Sequence, residues 1–138
     1  MNSGRLLQYN AAFLMLMGGG AAVADAIGHF YAKGPLAKVM FGAPLAISSF
    51  EAHLLAALFG LVLYHGSQQP ERRPFHSLAA VIHIILGGSN LLFFDHAFGA
   101  LDMRLFGLGI TACHFGLVLL QTLAAMSREG SRAALSIS

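Results

Sequence analysis

Four apolar runs, over roughly residues 7–31, 44–65, 75–98 and 104–126, leave this chain few ways to fold. Each is about 22–25 residues long, enough at ~1.5 Å per residue to cross a ~30 Å hydrocarbon layer as a helix with some tilt. Lipid offers no water to an open backbone, so a run of this length must satisfy its own amides and carbonyls, and the α-helix does that. Strands of a membrane barrel are about half as long and alternate in polarity. Composition agrees. Of the 138 residues, 57% are apolar and 10% charged, against about 25% charged in an ordinary soluble domain. A small chain has too much surface for its volume to cover it in water with so few polar groups. One cysteine excludes an internal disulfide and a Cys-rich zinc site, and a net charge of +2 argues against a nucleic-acid partner.

Turn-type residues separate the runs. Lys33, Gly34 and Pro35 follow the first; Gly42, Ala43 and Pro44 open the second; Gly66 to Pro74 divides the second from the third; Gly99 to Met103 makes a tight last connection. The segment Leu36 to Phe41 between the first two runs fits a position in the membrane interface. Short connections favour antiparallel neighbours. The expected fold is therefore an all-α, integral membrane four-helix bundle, up-down-up-down, forming one domain over residues 1–138, with a polar tail from about residue 128. Arg5, the apolar stretch after it and Ala22, Val23 and Ala24 imitate a cleaved secretory signal; we read them as part of the first span. Arg5, Arg72, Arg73, Arg128 and Arg132 fall on the side of the termini and Lys33, Lys38 and Arg104 on the other. The excess places the termini in the cytoplasm, most simply of a bacterial inner (plasma) membrane.

An ionisable side chain at membrane depth is costly and turns to the bundle interior or to a partner. On a wheel of about 100° per residue, each helix carries one small-and-polar stripe with at least one histidine. The stripes are Gly18, Ala22, Asp25 and His29; Ser49, His53, Gly60 and Tyr64; His76, His83, Gly87 and Asn90; and Gly107, Thr111, His114 and Gln121. His53 and His114 fall at similar depths on helices of the same direction, diagonal in a simple bundle. Glu51 stands about 200° from His53 and does not share its face. It points to a neighbouring helix or another subunit, or the inward face is drawn wrongly.

Four readings of these residues compete. In the first, facing imidazoles hold haem b, with His53 and His114 as axial ligands and His83 as substitute; no C-x-x-C-H is present for covalent attachment. The bland counterpart is histidine as polar glue between helices. In the second, Asp25 and His29, at i and i+4, share a transition metal ion with His96 and Asp95, or His53, His83 and His114 hold one ion deeper. The same i, i+4 spacing also serves a plain hydrogen bond. The third is cofactor-free proton or small-molecule handling by Asp25, Glu51 and the histidines, with Asn90, Thr111 and Gln121 completing the polar core. The fourth is a non-catalytic accessory subunit, a homo-oligomer or part of a larger membrane complex, whose small-residue faces serve helix packing. The function expected first is haem or metal binding for electron transfer or redox chemistry.

Overall fold

The computed structural model describes residues 2–44 and 46–127. The tail expected from residue 128, with Arg128 and Arg132, lies outside the described residues. The described chain forms α1 (Ser3–Tyr31), a single turn α2 (Ala37–Met40), α3 (Ala46–Ser67), α4 (Arg73–Leu92), a π-helical turn over Asp95–Gly99, and α5 (Arg104–Met126). Four of these, α1, α3, α4 and α5, are long and apolar enough to cross a membrane.

Helix ends fall where local chemistry puts them. Asn2 starts α1 ahead of the apolar run, its side chain accepting the Gly4 amide at 2.9 Å. The first connection uses Gly34 at φ 83° and Gly42 at φ 65°, conformations a side chain would oppose. The helix after it begins at Ala46, past Pro44, so His53 lies seven residues inside α3, about 10 Å from its start. The third apolar run is not one helix to residue 98. It breaks after Leu92 and turns through the π-helical segment, which seats the Phe98 ring in the notch left by the missing side chain of Gly107.

The helices pack as two close pairs. In the first, Gly4 lies against Ser67, Gly60 against Ala11 and Met15, Gly18 against His53 to Ala57, and Asp25 against Ser49, an antiparallel register. The approach is tight because glycine permits it: a Cβ on Gly18 would stand 2.7 Å from the His53 carbonyl oxygen and 2.8 Å from the Ala57 amide. In the second pair, His76 meets Gln121, His83 meets His114, and Gly87 meets His114 and Phe115, again antiparallel. The two pairs touch each other along a narrower seam.

Burial is inverted relative to a water-soluble protein. Leu16, Ile27, Leu58, Leu61, Ile85, Leu108, Leu119 and Leu123 face outward, whereas Asn10, Asp25, His76, His83, Thr111, His114 and Gln121 are buried. The half of the bundle near the ends of α1 and α4 that begin the chain segments is filled by Leu7, Ala11, Leu14, Leu63, Ala79 and Ile82. The polar groups gather mainly beyond this plug.

Gly18→Ala should force α1 and α3 apart and cost about 1–3 kcal/mol, whereas Gly19→Ala, with nothing within 4 Å, should leave stability unchanged or slightly raised. Thermal unfolding in detergent micelles checks both.

Candidate functional site

Asp25 stands six residues before the end of α1, about 9 Å from it. The antiparallel α3 brings Ser49 and His53, four residues apart and on one face, alongside it. The Ser49 hydroxyl donates to Asp25 Oδ2 at 3.0 Å, and His53 Nδ1 lies 2.7 Å from the same oxygen. An ionised carboxylate only accepts, so the neutral His53 ring carries its proton on Nδ1 and its lone pair on Nε2. Asp25 is 1% exposed and its Oδ1 has no partner. The His53 side chain, 36% exposed, leaves its far edge accessible.

A second chain of polar groups runs from α1 through α4 to α5. His83 Nε2 donates to Asn10 Oδ1 at 2.6 Å, which makes His83 Nδ1 the acceptor for His114 Nδ1–H at 2.8 Å. His114 Nε2 is then also a lone-pair nitrogen. Phe13 packs its ring against both imidazoles, with centroids 6.0 Å from His83 and 5.8 Å from His114.

Both units reach one cavity of about 350 Å³ between the helix pairs. Asp25, Ser49, His53, Asn90 and His114 supply its polar wall, Phe13, Phe98, Phe106 and Ile110 much of its apolar wall, and Leu36, Val39 and Met40 of the α2 segment cover it. Asp25 also borders a second cavity of about 330 Å³, lined by Ala26, His29, Phe30, Ile47 and Phe50. Asp25 thus belongs to the wall shared by two spaces.

The remaining residues singled out from sequence fall elsewhere. The half-buried His29 uses Nδ1–H to hold the Met40 carbonyl at 3.0 Å, fastening α2 over α1, and borders the second cavity with Asp25. His96 is exposed in the π-helical turn, and Asp95 beside it pairs with Arg104 at 2.8 Å. Glu51 is exposed on the outer side of α3. Thr111 is buried with its hydroxyl unpartnered, and Gln121 accepts from His76 Nδ1 at the opposite end of the α4–α5 pair. His53 and His114 border the same cavity without touching: each ring is committed to a different neighbour. Among the described residues no group of three or more His, Cys, Asp or Glu side chains is arranged to hold a metal ion. His83 and His114 are in direct contact at 2.8 Å, whereas two imidazole nitrogens sharing a tetrahedral ion stand about 3.3 Å apart.

Sequence reasoning passed over Asn10 and gave His76 no partner. The signals were present: a side-chain amide inside an apolar run needs a partner, and the seven-residue spacing of His76 and His83 mirrors that of His114 and Gln121. No protein-family profile, curated protein or solved structure matches this chain.

The Asn10–His83 bond joins the two helix pairs. A double-mutant cycle of Asn10→Ala and His83→Ala should therefore return a coupling of about 0.6–1.7 kcal/mol, the range for hydrogen bonds between membrane helices. Unfolding of the four proteins in micelles measures it, and additive losses would contradict the bond.

Proposed function

We propose that this is an integral membrane protein that binds a small molecule in the cavity between its helix pairs and exchanges protons with it there, without a resident cofactor. Asp25 and His53 form the principal proton-accepting unit. His114, backed by His83 and Asn10, forms the second. The observation that carries this reading is the asymmetry of Asp25, a residue of the cavity lining: one carboxylate oxygen takes two donors, while the other is buried and unpartnered. A carboxylate kept at membrane depth needs a use that outweighs its cost. The hydrogen bond from Nδ1 orients the His53 ring and leaves Nε2 free to take a proton, the arrangement by which a carboxylate prepares a histidine base.

In this proposal the four spans run up-down-up-down with both termini in the cytoplasm of a bacterial plasma membrane. The five cations on that side against three on the other support the orientation. Glu51, facing outward from a lipid-facing wall, supports packing against a second membrane chain, whether a copy of this one or a subunit of a larger complex.

Infrared difference spectra after pH steps, on protein in lipid nanodiscs, test the proton reading. A carboxyl signal should appear that vanishes in Asp25→Asn and shifts in His53→Ala. If the spectrum is the same in wild type and Asp25→Asn, the proposal fails.

A second reading keeps haem b or a transition metal ion. Its support is that His53 and His114 border one cavity with each Nδ1 hydrogen-bonded, which orients the ring and leaves Nε2 as a ligand atom. A reduced-minus-oxidised absorbance spectrum with elemental analysis decides it: a Soret band, or stoichiometric metal, lost in both His53→Ala and His114→Ala is the expected result.

A further inference from the structure

Acceptors outnumber donors on the cavity wall: Asn90 brings an amide that both donates and accepts, and the other polar groups there accept. Asp25 Oδ1 is an acceptor with no partner, on a residue 1% exposed. With Nδ1–H given to Asp25, His53 presents an acceptor at Nε2, and with Nδ1–H given to His83, so does His114. The Ser49 hydroxyl proton is already used on Oδ2. The Asp25–His53 unit, with Nε2 unprotonated, carries one negative charge. A guest that matched this wall would bring N–H donors and a positive charge. A neutral alcohol would supply a donor and leave the charge unanswered in a medium of low dielectric constant. An anion would meet the carboxylate.

The apolar wall points the same way. Phe13, Phe98 and Phe106 border the cavity, and the rings of Phe98 and Phe106 stand 6.3 Å apart at 61°. Aromatic faces attract cations through their quadrupole, more strongly when water is excluded. A volume of about 350 Å³ admits a molecule of one ring and a short arm, at the small end of ligand cavities.

We infer that the cavity takes a protonated organic amine with an apolar, single-ring frame, the ammonium at the accessible edge of the Asp25–His53 unit and the frame among the phenylalanines. The inference rests on the cavity reading above and names its ligand class.

The test is calorimetric titration of the protein in phosphatidylcholine nanodiscs with phenethylammonium, and with 2-phenylethanol as its neutral counterpart, each corrected for protein-free nanodiscs. The ammonium should bind about tenfold or more tighter than the alcohol, a difference that desolvated charge and cation–π contacts can supply. Asp25→Asn should reduce ammonium binding to the level of the alcohol, Asp25→Glu should keep the preference, and Phe98→Ala should weaken both ligands. Equal binding of the two ligands by wild type, no binding of either, or full ammonium binding by a folded Asp25→Asn protein overturns the inference. Should Asp25→Asn not fold, the wild-type preference decides alone. An Asp25-dependent infrared signal without amine preference refutes the ligand class and leaves proton handling standing; loss of that signal's dependence on Asp25 refutes the broader reading.

Discussion

A polar side chain at membrane depth has no solvent to return to, so its partner comes from another helix, and the choice of partner fixes which helices lie together. The buried bonds of this protein do that in sequence. Asp25 with Ser49 and His53 ties α1 to α3; His76 with Gln121 and His83 with His114 tie α4 to α5; Asn10 with His83 ties one pair to the other. Lipid tails are as apolar as leucine and give little drive for helices to associate. Close approach at Gly18, Gly60 and Gly87 supplies the dispersion contacts, and the hydrogen bonds supply the register.

The spans were legible in the sequence because the bilayer sets their length. Their ends were less so. Asn2 extends α1 by capping, Pro44 delays α3, and the third run gives way to a π-helical turn because Phe98 has a place to fit over Gly107, a contact between residues on separate elements that periodicity does not display. The inward faces followed from the wheel: Asp25, His83, Thr111, His114 and Gln121 are buried. Partners did not follow, because a wheel assigns a face and leaves the neighbour open. His53 meets Asp25, since two glycines draw α1 and α3 together, and its ring is not turned to His114. Similar depth likewise did not join His29 to His96, because α2 folds back and its Met40 carbonyl takes the His29 ring.

The interior is divided along its length. Leucines, alanines and an isoleucine fill one part without a polar atom among their side chains, and the cavity with its histidines and carboxylate occupies another. The α2 turn that borders the cavity is held by close packing of Gly28 against Leu36, Ala37 and Met40, by one hydrogen bond from His29, and by an exposed Lys38–Asp102 ion pair at 3.2 Å, an interaction worth about 0–1 kcal/mol. Its flanking connections contain Gly34 and Gly42 at positive φ.

The narrow seam between the helix pairs has a mechanical consequence. Each pair is locked by backbone-close glycine contacts, and across the seam the apolar plug, the Phe75 ring on Gly66 and the Asn10–His83 bond hold one end, while the cavity occupies the other. Packing is therefore dense within each pair and at the plug end of the seam and sparser around the cavity, so a rocking of one half against the other would pivot about the plug. Such a pivot would change the width of the space where His53 and His114 stand while the plugged end kept its contacts.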